Sequence, residues 1–191
     1  MTRKLIANVT LSLDGYAAGP NSDMMWLVPH SIQPQMTSHF AGVWRGADTV
    51  LLGRNNYEGF FGYWPAVAAD PNSAPRDRDM AQWLDDVEKV VFSRTLTEAP
   101  WQNSRISRDL EGEVRALKDA PGRDIIVLSS VSVIRALLKA DLVDELRTYL
   151  IPEVLGAGLK AFDDGIPASS WRLDGSHTLA SGAIALTYGR Q

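Results

Sequence analysis

A chain of 191 residues that is 45% hydrophobic and 22% charged is sized and composed for one globular domain with a sizeable core. The net charge is −4 and the 19 basic residues are scattered, which argues against nucleic acid as the main partner and leaves room for a phosphate-bearing small molecule. Cysteine is absent, so a disulfide framework, a thiol nucleophile and a thiolate metal site are excluded.

Met1-Thr2-Arg3-Lys4 runs directly into an alternating segment, so no secretory leader is expected. No apolar run is long enough to span a bilayer, and a cytoplasmic location is the expectation. Leu5, Ala7, Val9, Leu11 and Leu13 recur at period two and predict the core face of a strand. Asn8, Thr10 and Ser12 lie on its other side; in a central strand they need partners or a cleft to line. Residues 14–21 read as loop from their Gly, Pro, Asn and Asp content. Met24, Met25, Trp26 and Leu27 are apolar again. Pro34 suits the first turn of a helix carrying Met36, Phe40, Val43 and Ala47.

Residues 48–52 read as a buried strand. From Phe60 to Arg78 the chain reads as irregular, its aromatic start either covering a pocket or anchoring a surface excursion through Trp64. Met80, Trp83, Leu84 and Val87 predict a helix, and residues 89–93 another buried strand. Asp109 is placed to cap a helix bearing Leu110, Val114 and Leu117, which stops before Pro121. Residues 124–128 predict a strand, followed by Ser129-Ser130 and a helix with Val131, Ile134, Leu137 and Leu138 inward. Residues 146–151 form a strand ended by Pro152, and Gly156-Ala157-Gly158 a tight loop. Residues 171–188 predict an antiparallel hairpin around Ser181-Gly182. The pattern predicts a single α/β domain over 1–191. It has a mixed, mostly parallel sheet, helices on both faces and an antiparallel C-terminal hairpin.

Three strands end in phosphate-compatible turns: Leu52-Gly53-Arg54, Phe92-Ser93-Arg94 and Leu128-Ser129-Ser130. In an open α/β sheet ligands bind beyond the carboxyl ends of the strands. The first and third turns lead into helix N-termini, which suit the two sides of a pyrophosphate. The second offers a hydroxyl and a guanidinium for an extra phosphate on a ribose. Together they predict NADPH as cofactor in preference to NADH. The three histidines, His30, His39 and His177, lie far apart in sequence without metal spacing, so no metal site is expected. No G-x-S-x-G elbow exists, which argues against a serine hydrolase.

The opening Leu5-Ile6-Ala7-Asn8-Val9-Thr10-Leu11-Ser12-Leu13-Asp14-Gly15, the turn Leu51-Leu52-Gly53-Arg54-Asn55-Asn56-Tyr57-Glu58 and Tyr63-Trp64-Pro65 resemble the dihydrofolate reductase-like superfamily. They are similar more closely to small proteins related to the reductase domain of bacterial riboflavin biosynthesis, the RibD C-terminal type. Residues 91–96, 142–146, 152–158 and Phe162 fit the same pattern in order. The resemblance implies a dihydrofolate reductase-like fold, often a homodimer. It also implies NADPH-dependent hydride transfer to a small planar heterocycle, pteridine- or pyrimidine-like, or a related unsaturated compound. By position, Gly53, Arg54 and Asn55 hold phosphate, and Ser93 and Arg94 hold the adenosine-ribose phosphate. Ser129, Ser130, Val131 and Ser132 present N–H groups to the pyrophosphate. Thr10 and Ala17 sit against the nicotinamide, and Asn8, Trp26 and Thr37 face the substrate. Thr10 and Asp14 are the catalytic candidates. Asp14 either orients a substrate or relays a proton, or serves only as the first residue of an Asp-Gly turn.

The chain departs from the pattern at three places. Ser129-Ser130 replaces the usual glycine after the 124–128 strand, Leu128 stands where the riboflavin-type reductases have glutamate, and Gln35-Met36-Thr37-Ser38 offers no acid. True dihydrofolate reductase activity is therefore not expected, and water is the expected proton source. The departures leave as an alternative a non-catalytic nucleotide or small-molecule binding protein that retains the fold, with a flavin-using protein as a third reading.

Overall fold

The computed structural model describes residues 3–191, except the side chain of Thr37. In chain order come β1 (Leu5–Ser12), β2 (Tyr16–Ala18), α1 (Val28–Ser31), α2 (Pro34–Trp44), β3 (Ala47–Gly53), α3 (Arg54–Ala69), α4 (Pro75–Asp86), β4 (Glu88–Phe92), β5 (Ser104–Ser107), α5 (Leu110–Asp119), β6 (Asp124–Leu128), α6 (Val131–Lys139), β7 (Glu145–Ile151), β8 (Leu159–Lys160), β9 (Trp171–Thr178) and β10 (Ile184–Arg190). Two short 3-10 turns, Pro20–Ser22 and Met25–Leu27, precede α1.

The main sheet has the order β5-β4-β3-β6-β1-β7-β10-β9. Strands β5 through β7 in that order are parallel, and β10 and β9 run antiparallel. β1 is central and apolar on both faces. Leu5, Ala7, Val9 and Leu11 enter the core beneath α5 and α6, while Ile6 enters the core beneath α2, α3 and α4. A parallel strand covered by helices on both sides requires that pattern. A third cluster, around Met36, Tyr149, Ile151 and Ala185, joins α2 to β7 and β10. The parallel arrangement sets the carboxyl ends of β4, β3, β6 and β1 side by side along one edge.

Local signals set several boundaries. The Asp109 carboxylate caps α5 by accepting the Gly112 N–H at 3.0 Å, and Pro34 and Pro75 open α2 and α4. Other expectations are corrected. The stretch from Phe60 onward is not irregular: α3 continues to Ala69 and α4 starts at Pro75, leaving only residues 70–74 as a connection. Aromatic pairs one turn apart, Tyr57 with Phe61 and Phe60 with Trp64, stabilise the turns of α3 that precede Pro65. Ala47 opens β3 and is not on the preceding helix. Leu13 lies past the end of β1 and is 56% exposed, so it is not a core residue. The loop expected over 14–21 contains β2, which pairs with β8. β2, β5 and β8, at two to four residues, are too short to display a period.

Candidate cofactor and substrate cleft

Three turns meet at the carboxyl edge. α3 begins directly after Gly53, and α6 directly after Ser130; neither helix has a side-chain cap on its first turn. Their first N–H groups therefore point outward as donors, at the positive ends of both helix dipoles. The Gly53 N–H donates to the buried Ser130 Oγ at 3.0 Å, tying the two turns together. A Cβ at position 53 would press on Ser132 Oγ at 3.3 Å, so glycine lets β3 and α6 approach this closely. Ser129 takes the left-handed conformation, φ +51°, and donates its N–H to the Asn8 carbonyl at 2.9 Å. The backbone shape that glycine usually provides is kept with serine in its place.

Arg54 reaches from α3 to the turn after β4, where its Nη1 donates to Thr95 Oγ1 at 3.0 Å while Nε pairs with Glu58. Ser93 shapes that turn, its Oγ accepting the N–H groups of Thr95 and Leu96. Arg108 braces it by donating to the carbonyls of Ser93 and Leu96. Arg94 is exposed, and its side chain has no hydrogen bond or ion pair among the described residues.

A cleft of about 520 Å³ opens beside these turns. Of the expected residues it brings together Thr10, Ala17, Asn55, Ser129 and Val131. Its walls also include Phe60, from the aromatic stretch for which a pocket-covering role is one of two expectations, and Met24, Leu27, Asn56 and Leu159, to which the sequence assigns no site role. The Asn56 amide donates to the Leu128 carbonyl at 3.4 Å and so links α3 to the end of β6. Gly158, at φ +137°, lets β8 close the mouth; a Cβ there would collide with the Ala18 carbonyl oxygen.

Other expected residues lie elsewhere. Asn8 is 1% exposed beneath the cleft, and neither atom of its amide has a hydrogen-bond partner among the described residues. Trp26 packs against the cluster of Met36 and Tyr149, outside the cleft lining, and its indole N–H has no partner among the described residues. The Thr37 side chain lies outside the described residues. Asp14 does not line the cleft. Its carboxylate accepts from Ser12 Oγ at 2.7 Å, Gly156 N at 2.7 Å and Leu155 N at 3.1 Å. Those bonds, the Ser12 hydroxyl foremost, hold its pKa down to about 2. Asp14 is thus the joint between the β1–β2 turn and the loop after β7.

Two histidines that are distant in sequence are neighbours in space: the rings of His39 on α2 and His177 on β9 stand 5.1 Å apart. Burial, then His177 and Arg147, lowers the His39 pKa, so this ring is neutral at pH 7. No group of three metal-ligating side chains exists among the described residues. A second cavity, of about 510 Å³, lies between α2, α3 and α4 and is walled by Phe40, Trp44, Tyr63 and Trp64.

A mostly parallel sheet with its antiparallel tail, and a cleft framed by two open helix N-termini, define a protein of the dihydrofolate reductase-like fold. The chain belongs to the RibD C-terminal domain family, whose model matches residues 3–185. The uncharacterised protein YyaP of Bacillus subtilis strain 168 is 30% identical over 186 residues, covering 97% of this chain and 94% of YyaP. Among solved structures, a Shewanella sp. PV-4 protein assigned to riboflavin biosynthesis superposes with a TM-score of 0.77 at 22% identity, covering 100% of this chain and 99% of that one. The Thermotoga maritima diaminohydroxyphosphoribosylaminopyrimidine deaminase/5-amino-6-(5-phosphoribosylamino)uracil reductase gives 0.67 at 14% identity, covering 100% of this chain and 57% of that longer one. Enterococcus faecalis dihydrofolate reductase, solved with NADP(H), gives 0.62 at 15% identity over 100% and 99% of the two chains. The structural likenesses carry the fold.

Proposed function

We propose that the protein is an NADPH-dependent reductase that passes hydride to a small planar unsaturated acceptor. The observation that carries this reading is the convergence of the β3, β4 and β6 turns on one edge, joined by the Gly53–Ser130 and Arg54–Thr95 hydrogen bonds. The donor set fits the cofactor. The open first turns of α3 and α6 would hold the pyrophosphate between them, and Ser93 and Arg94 would hold the ribose phosphate. When bound, NADPH supplies the hydride. The chain's own part is positional. Thr10 and Ala17 form the floor against which a flat ring is oriented, and Met24, Leu27 and Phe60 exclude water from its faces. No acid lines the cleft among the described residues, so solvent water is the proton source.

Fluorescence titration with NADPH and NADH, followed by NADPH oxidation across a panel of acceptors, tests the reading. Micromolar binding of NADPH, weaker binding of NADH and turnover of at least one acceptor are expected. Lack of NADPH binding at millimolar concentration refutes it. Binding without turnover of any acceptor would favour a binding protein that has kept the fold, a reading supported by the missing acid. The same reading includes a homodimer, supported by the solvent-facing edge of β9, where Leu173 is 53% exposed.

A further inference from the structure

The cavity between α2, α3 and α4 has no part in the reduction proposed above. Among the described residues it shares no wall with the cleft, yet it is as large, about 510 Å³ against about 520 Å³. That volume lies within the usual range for small-molecule sites. Two bridges frame it. Arg76 Nη1 donates to the Ile32 carbonyl at 2.8 Å and joins the end of α1 to α4. Arg45 Nη2 pairs with Asp79 at 3.0 Å and joins the end of α2 to α4. All four of these residues line the cavity.

The walls between the bridges are flat and apolar. Trp44 is buried, with the Trp83 ring 5.0 Å from its own and the Arg45 guanidinium 5.2 Å over it. The rings of Tyr63 and Trp64 stand at 80° with their centroids 5.1 Å apart, so they form a corner. Such a corner offers a flat ring one face contact and one edge contact. Tyr63 is 58% exposed and Ile32 53%, so the fold leaves part of this apolar lining uncovered.

Charge decides what fits against these rings. Among the described residues of the lining, two arginines meet two aspartates, Arg45 with Asp79 and Arg76 with Asp77 at 3.4 Å. An ionic guest would lose its water and find each counter-charge engaged. The hydroxyls of Ser38 and Tyr63 make no hydrogen bond among the described residues, which leaves them free for a polar atom on the guest's edge.

We propose that this cavity is a second ligand site. Its occupant is an uncharged, flat aromatic molecule of two or three fused rings with a hydrogen-bonding group at its edge. The site binds without bond making, and its occupancy is independent of the cofactor cleft.

Calorimetric titration at pH 7 with 2-naphthol, 2-naphthoate and 2-naphthylmethylammonium presents one ring system as neutral molecule, anion and cation. 2-Naphthol should bind with a Kd of about 10–100 μM, and each ion about tenfold or more weakly. Binding of 2-naphthol should persist in millimolar NADPH. Ala41→Phe sets a ring into the cavity and should abolish binding with Tm unchanged or raised. Tyr63→Ala, at an exposed position that folding tolerates, should weaken binding about tenfold. The proposal is overturned by absence of binding at millimolar 2-naphthol, by an ion binding as tightly, or by undiminished binding in either variant. Displacement by NADPH would place the probe in the cleft and also overturn it. So would a Tyr63→Ala protein that sediments as a monomer where the parent is a dimer, because a second copy would then be the occupant.

Discussion

Arg54 and Arg94 carry the same charge and differ in what engages them. Arg54 is held by Glu58 and Thr95, so it stiffens the turn it belongs to. Arg94 has no such engagement among the described residues, and it flanks the Ser93 turn. Arg94→Ala should weaken NADPH about tenfold and leave NADH unaffected, as loss of a charge-assisted phosphate contact would; equal weakening of both, measured by titration, would remove the phosphate assignment. Ser129 shows a local conflict resolved by its neighbours. A non-glycine residue in the left-handed region costs about 1–2 kcal/mol, yet the Ser129 N–H is bonded to Asn8 and the adjoining Ser130 hydroxyl receives the Gly53 N–H. Glycine at position 130 would lack that hydroxyl. Asp14 gives a prediction with a definite sign. Its folded pKa, about 2, is below the ordinary 3.8, so its contribution is present above pH 3.8 and is lost as pH falls toward 2. Asp14→Asn should flatten acid unfolding over that interval, followed by circular dichroism; an unchanged pH profile would mean the clamp contributes nothing.

At the scale of elements, α3 shows how a helix outlasts its own breaker. Pro65 sits inside it and removes one ladder hydrogen bond, a penalty of about 3 kcal/mol in an isolated helix interior. The stripe of Tyr57, Phe60, Phe61 and Trp64 offsets this through paired rings and burial. Pro65→Ala should therefore stabilise the fold by about 1–2 kcal/mol, less than the full penalty because proline also stiffens the unfolded chain. Urea unfolding checks this, and a lower midpoint would show that the ring of Pro65 is needed for helix packing. The same helix serves the cleft at its other end, where Asn55, Asn56 and Phe60 face the ligand space. Phe60 belongs to both, packing on Trp64 within the helix and lining the cleft.

For the whole molecule, strand order decides what meets. β3 lies between β4 and β6, and β6 lies between β3 and β1. Turns that are 41 and 77 residues apart in sequence, as in the Arg54–Thr95 and Gly53–Ser130 contacts, become adjacent for that reason alone. The opposite edge of the sheet ends in β9, whose outer backbone edge has no neighbouring strand among the described residues. A second copy would cover that edge and the exposed Leu173, the kind of row that folded proteins protect. Sedimentation equilibrium should give a species of twice 21.0 kDa at micromolar concentration. A monomer under those conditions would reject the homodimer, and Leu173→Lys should shift the equilibrium toward monomer if β9 is the contact.

Much of the fold is legible along the chain because it depends on local patterns. Residues 124–128 show a strand, Asp109 caps the helix that follows it, Pro34 opens another, and Ser181-Gly182 turns the final hairpin. The phosphate-type turns are legible for the same reason, since strand, turn and helix start are contiguous. Tertiary structure alone decided the rest. Phe40, Tyr63 and Met80 meet from three helices, and the strained Ser129, the Asp14 joint to Gly156 and the His39–His177 contact depend on pairings across the molecule. Sequence fixes which residues can pair with water or with the core. Only the folded chain determines which buried polar group is left without a partner, because that depends on what every neighbouring element brings to it.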